Sequence, residues 1–583
     1  MKIINFCLGI LSCILCFWYV DTLIPYQLCQ LEHDSLFVLD AESFFHSFCT
    51  VGGFGGWLSA WGLQSFALPH VGSLIFILPA LALGVVMYIL LCRKGLAEVF
   101  VPLTAVPAAC LLFSQLDYYY SWQGSVSTLL ALSVLAWVDM IGRMKLKIAL
   151  FSLLILPVFW LLGSAVTVYV LSGTVLFFSR KTWPYATLPL LICMLFAGMV
   201  AYKGLSDSLY ISVSPEFYYS RQLEMPLYHW LATVSIVLLL VVGCNLHDCT
   251  SRWRNYWRYG FLGMIWLLNG SLFYHYEPLF RNQKNQTLWQ LNHYSFMEDW
   301  DGIIKMFPPS QKISNLLYMN YLNRALAEKG VLVDSAFKYR PYGAASLLVA
   351  ENNTGAVRML LSDVQYTVGC IAESQHQAFE AQTALPGQYG IQTLMRLTKT
   401  NLIQGHYRVA GKYLALIGKS LTYKKWALYY RQFLYDDKAV EADKELGDKR
   451  RSYRQQNNFS MWRGWRADLE AVLEANPQNT KAAAYLGISL LLTKDMAGFV
   501  RFLDTYYGTE ALPVLPAVFQ QAVLVAYPDN GERWKSFGLS SQVTTDYDRF
   551  RNLYYQTKNS FNQKDQMAQS FGDSFWFYLM FVK

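Results

Sequence analysis

Apolar residues run through the first 276 positions in long unbroken blocks, whereas beyond them they recur every three or four positions among polar and charged ones. A bilayer core of about 30 Å needs roughly 20 apolar residues of helix. That ruler selects nine spans, near residues 3–20, 73–92, 96–114, 124–142, 147–162, 164–179, 184–203, 230–248 and 258–276. Lys and Arg cluster at every second connection: Lys2; Arg93 and Lys94; Arg143, Lys145 and Lys147; Arg180 and Lys181; Arg252, Arg254 and Arg258. Basic residues resist translocation, so the clustered side is expected to be cytoplasmic. The other connections hold little beyond Lys203 and Arg221. Nine crossings that start inside place the region after residue 276 outside.

The stretch from Ile148 to Ser179 is long for one crossing and short for two. Its basic flanks decide for a hairpin that turns near Gly163 and Ser164. The first span begins like a signal peptide, but no small-x-small site follows before Asp21, so it reads as an uncleaved anchor. The chain thus divides into a transmembrane domain, 1–276, with its first outer loop at 21–72, and an extracytoplasmic helical domain, 277–583. The fold class is all-α. In the second domain helix pairs are expected around Ile313–Tyr339, Gly390–Ile417 and Asn476–Tyr507. The last pair, with Pro477 near a helix start and Tyr485, Leu486 and Gly487 packed mid-helix, resembles a tetratricopeptide repeat, whose paired helices bury their faces by stacking on neighbours. A helical domain without true repeats is the alternative. The charged segment Asp436–Arg454 reads as a solvated face.

Composition agrees: 54% hydrophobic and only 15% charged residues in 583, with a mean hydropathy of +0.23, make the chain too apolar for an ordinary soluble protein. The net charge of +8 is accounted for largely by the orienting clusters, so no nucleic-acid partner is expected. No phosphate loop, zinc-protease helix, nucleophile elbow or dinucleotide glycine pattern occurs. Charges inside spans are few, chiefly Glu98 and Asp139 near helix ends, which leaves an ion path without its usual markers. Most cysteines fall in spans. Cys29 and Cys49 share the first outer loop and could pair in an oxidising compartment, while Cys370 is expected to be buried and free.

Chemistry concentrates in loop 21–72, which has five acids, three His and no Lys or Arg. Glu32, His33 and Asp34 follow closely on the first span, so two carboxylates are expected at the membrane surface with an imidazole between them. Phe44, Phe45 and Phe48, then Trp57, Leu58, Trp61 and Leu63, fit helices lying along the interface, separated by glycines 52, 53, 55 and 56. An acidic pair shortly after the first span, followed by juxtamembrane amphipathic helices, resembles the first outer loop of the multispan glycosyltransferases of the C superfamily, which take sugars from polyprenyl-phosphate donors and of which one subgroup carries tetratricopeptide repeats. The resemblance implies that Glu32 or Asp34 is the catalytic base, with a divalent cation as a candidate cofactor held between these carboxylates. His33, Asp40 and Glu42 are candidates for substrate binding in the same loop. Asp117, Tyr118 and Trp122, with His229, would wall the pocket, and Arg221 would hold the donor phosphate.

The expected function is therefore transfer of a sugar from a lipid-linked donor to an acceptor, protein or glycan, presented by residues 277–583. The alternative is a non-catalytic inner-membrane scaffold whose repeat domain recruits envelope-assembly partners. A bacterial inner membrane, with the second domain periplasmic, is the expected location.

Overall fold

A computed structural model describes residues 2–178, 183–243, 255–309, 312–385, 390–453, 464–558 and 560–582. Arg180, Lys181, Arg252, Arg254 and Arg454 lie outside the described residues, as do the ends of the spans expected at 164–179 and 230–248. Among the described residues the chain is helical, and extended pairing is confined to isolated bridges such as Tyr120 with Tyr219. It forms two compact units, residues 1–287 with 419–422, and residues 288–418 with 423–583.

The first unit holds α1 (Lys2–Leu23), α2 (Pro25–His33), α3 (Ala41–His46), α4 (Gly53–Leu63), α5 (Val71–Arg93), α6 (Ala105–Leu116), α7 (Trp122–Asp139), α8 (Met144–Leu153), α9 (Ile155–Leu162), α10 (Val166–Phe177), α11 (Thr187–Tyr202), α12 (Leu209–Val213), α13 (Trp230–Gly243) and α14 (Asn255–Phe280). Four helical segments, 2–23, 71–93, 98–116 and 144–177, are long and apolar enough to cross a membrane. At 1.5 Å per residue α5 alone reaches about 34 Å, more than a bilayer core.

The segment 144–177 is not one rod. The phenol of Tyr169 donates to the carbonyl of Phe151 at 3.2 Å, and a Cβ on Gly173 would stand 2.1 Å from the Phe151 ring. Residues some twenty positions apart would be about 30 Å apart along a straight helix, so the chain folds back. The turn is at Gly163, whose φ of +73° is open to glycine and strained for other residues. Tyr218 secures it, donating to the carbonyl of Leu162 and accepting from the backbone N–H of Ala165 at 3.0 Å.

The helix ends sort into two sets. At one, Asp139 of α7 meets Arg93 of α5, Lys94 and Lys147 of α8, and Lys94 also reaches the carbonyl of Leu176 in α10. At the other end of α5, His70 and Ser73 bond the carboxylate of Asp21 at the close of α1. Glycine placement in loop 21–72 differs from the expectation. Only Gly52, at φ +73°, marks the break before α4; Gly53 opens that helix, and Gly55 and Gly56 lie inside it. Their small size lets α4 press on α7: a Cβ on Gly55 would sit 2.4 Å from the Ser127 hydroxyl.

In the second unit, helices 391–403 and 407–417 form a pair, as do 480–492 and 496–506, whereas after 316–328 only a short turn, 332–335, and a 3₁₀ segment follow. Tyr485 and Leu486 are buried, and a Cβ on Gly487 would meet the Phe519 ring at 2.3 Å. The segment 436–453 is not simply a solvated face. Glu445 accepts from Lys399 and from the phenol of Tyr366, and the buried Lys449 donates to the carbonyl of Thr367 at 2.8 Å. Alongside, Asp363 takes Arg324 at 2.8 Å and Arg396 at 2.7 Å, and the Arg396 guanidinium lies 3.7 Å over the Tyr366 ring. Cys29, Cys49 and Cys370 are free thiols, so the pairing of Cys29 with Cys49 is not formed.

Candidate functional site

The Ile24–Pro25 step creates the site's first wall. Pro25 lacks an N–H and occupies the first turn of α2, where none is needed, so α1 ends and α2 starts at a new angle. Gln27 then donates to the carbonyl of Leu116 at the end of α6, which pins α2 against that helix. Gln30 and Asp34, four residues apart and so on neighbouring turns, bond at 3.0 Å. The phenol of Tyr118 donates to the other oxygen of Asp34.

The last two residues of α2 and its C-cap thus differ in exposure. Glu32 and His33 are each 2% exposed, with the Glu32 carboxylate 4.0 Å from the His33 imidazole. The expectation that both carboxylates face the membrane surface is corrected for Glu32: two residues before Asp34, at about 100° per residue, it lies on the opposite face of α2, in the packed interior. Asp34, at the C-cap, keeps part of its surface open. Burial of its carboxyl group pushes the Asp34 pKa up, and the hydrogen bonds from Tyr118 and Gln30 only partly offset this, leaving it at about 6. The Tyr118 phenol is driven well above its usual value by burial and by the neighbouring Asp34 charge.

Asp117 builds the second wall. It ends α6 with an extended backbone and accepts the N–H of Tyr119 at 3.0 Å, a local turn that Asp favours. Its second oxygen gathers His229 Nε2 at 3.1 Å, the Tyr228 hydroxyl at 3.0 Å and the Tyr219 hydroxyl at 3.3 Å. Burial raises the Asp117 carboxyl, but the bond from His229, the Tyr119 N–H, the His229 charge and Tyr228 outweigh it and hold the group below the ordinary carboxylate range. The His229 ring is stacked on Tyr120 at 5.2 Å and flanked by Tyr219 and Tyr228. A cavity of about 20 Å³ borders His229 between Thr128, Ser164 and Tyr218, room for one water. Backbone bonds from Ser121 to Tyr218 and from Ser220 to Tyr119 lock the two loops together.

Other candidates are placed elsewhere. Trp122 is buried, donates its indole N–H to the carbonyl of Phe76 and packs on Phe66 at 5.3 Å, so it builds core rather than a pocket wall. Arg221, one residue beyond Ser220 of the locked loop, pairs with Asp207 at 3.3 Å, and both side chains are more than half exposed. Asp40 caps α3 by accepting from Ser43 at 2.7 Å and pairs with Lys419 at 2.5 Å; Glu42 is exposed in the first turn of the same helix. Among the described residues no group of three or more His, Cys, Asp or Glu side chains is arranged to hold a metal ion. Gln30 and Tyr228 are the site residues that sequence reasoning missed. The four-residue spacing from Gln30 to Asp34 was the available signal for the first, and Tyr228 carried none.

Over residues 1–582 the sequence matches a family of unknown function, DUF6057. The chain belongs to this family. No curated protein and no solved structure matches this DUF6057 member.

Proposed function

We propose that this DUF6057 protein is a membrane-bound transferase that draws a sugar on a polyprenyl phosphate from the bilayer and passes it to an outer-face acceptor. In this reading Asp34 accepts the proton of the acceptor hydroxyl as its oxygen attacks the anomeric carbon, and the bond from that carbon to the lipid phosphate breaks, releasing polyprenyl phosphate. A base works best when its pKa lies near the working pH. The observation that carries the proposal is the state of Asp34: partly open, raised to about 6, and held by Tyr118 and Gln30 at the end of α2. Asp34 is favoured over Glu32 because Glu32 is 2% exposed. Asp117, fixed by His229 and Tyr228, positions the loop from which Tyr118 reaches Asp34.

The wider reading has nine crossings, the N-terminus in the cytoplasm of a bacterium, and residues 288–582 as a tetratricopeptide-like periplasmic domain that selects the acceptor. The test is the lipid-linked sugar pool, extracted from cells with and without the protein and resolved by mass spectrometry. Accumulation of one lipid-linked sugar on loss of the protein is expected. An unchanged pool, with envelope partners mislocalised instead, would overturn the transferase in favour of a scaffold.

A further inference from the structure

Asp139 is 2% exposed at its side chain and receives three cations. Arg93 donates Nε to Oδ2 at 3.0 Å and a second nitrogen to the Asp139 carbonyl at 3.1 Å. Lys94 and Lys147 reach Oδ1 at 3.4 and 3.0 Å, and both also lie about 6 Å from the Phe177 ring. One carboxylate against three cations leaves two positive charges at the joint end of α5, α7, α8 and α10. The excess is not sealed in: the Arg93 side chain is 43% exposed and that of Lys94 24%. Setting the orientation of spans requires basic residues near their ends but not their convergence on a buried acid. The convergence holds the cations in place, so binding a second anion there costs little ordering.

The surroundings say what the anion is attached to. The helices that carry Arg93 and Asp139 expose Val85, Tyr88, Trp137 and Met140 within about two turns of the cluster. A soluble anion has no use for them, whereas a phospholipid presents its phosphate and its acyl chains together. We infer that Arg93 and Lys94, steadied by Asp139, form a binding site for the headgroup of an anionic phospholipid, with the acyl chains against the exposed faces of α5 and α7.

The test uses full-length protein purified in detergent and given equal amounts of phosphatidylglycerol and phosphatidylcholine with matched chains, with retained lipid read by native mass spectrometry. A preference for phosphatidylglycerol of about fivefold or more is expected, as each basic residue near an anionic surface contributes about that factor. Arg93→Gln should lower the preference about fivefold, since Lys94 and Lys147 still hold Asp139 and the fold, while Arg93→Lys retains most of it. Equal retention of the two lipids by the wild type, an Arg93→Gln variant with wild-type preference, or displacement of the lipid by millimolar inorganic phosphate would each overturn the inference.

Discussion

The phenol of Tyr118 donates its hydrogen bond to the carboxylate of Asp34, 84 residues away, and so ties the end of α2 to the loop between α6 and α7. The bond favours the ionised carboxylate while burial opposes it, and burial prevails. A carboxyl group held in this balance is poised to exchange a proton near neutral pH, at a cost to the folded state.

That cost has a sign and a pH window. The folded Asp34 pKa of about 6 lies above its ordinary 3.8, so the native state binds the proton more tightly than the unfolded chain. Stability should fall as pH rises from about 4 to about 6 and stay level above, losing at most about 3 kcal/mol for a shift of this size. Asp34→Asn should remove this slope and raise the melting temperature at pH 7. Melting curves of the purified protein between pH 4 and 8 check this.

Tyr118→Phe takes away a donor that stabilises the charged form, so the Asp34 midpoint should move above about 6. Infrared titration of the protonated carboxyl stretch, assigned by its loss in Asp34→Asn, reads the shift directly. The variant should also lose about 1 to 3 kcal/mol, the usual cost of a hydrogen bond to a charged group.

Asp117 behaves in the opposite sense. Its carboxyl is held below the ordinary range, so it contributes stability that is present above pH 4 and is lost as the pH drops further. His229→Ala should remove the first of the partners that outweigh burial, raise the Asp117 carboxyl, and cost about 1 to 3 kcal/mol at neutral pH by leaving a buried acceptor short of donors. Thermal melts of the variant at pH 4 and pH 2 should differ less than those of the wild type.

In the second unit, Asp363→Ala leaves Arg324 and Arg396 buried without their shared carboxylate. Removing one partner of a buried ion pair costs about 3 to 5 kcal/mol. Loss of helical circular dichroism at a lower temperature, with the fold retained at 4 °C, is the expected readout.

What was legible in the sequence follows the range of the forces involved. The hairpin at Gly163 could be read because basic flanks on both sides of Ile148–Ser179 demand that the chain return, and apolar length is a local property. Asp34 and Tyr118 stood out singly for the same reason, as polar residues beside spans. That Asp117 is held by His229, 112 positions on, depends on how the end of α6 packs against the segment before α13, which one sequence does not encode in any spacing. Arg221 stands out in the sequence through the scarcity of cations in the outer loops, whereas its ion pair with Asp207 is a matter of tertiary packing. The segment at 436–453 misled: dense charge signals solvent, but Glu445 and Lys449 find partners on neighbouring helices and are drawn inward.

In the proposed reaction Asp34 performs the chemistry. The most direct measurement is the lipid-linked sugar pool in cells lacking the native protein and carrying either wild type, Asp34→Asn or Glu32→Gln at matched membrane abundance. Wild type and Glu32→Gln should return the pool to normal while Asp34→Asn leaves the accumulated species in place. A normal pool in cells carrying Asp34→Asn would contradict the account.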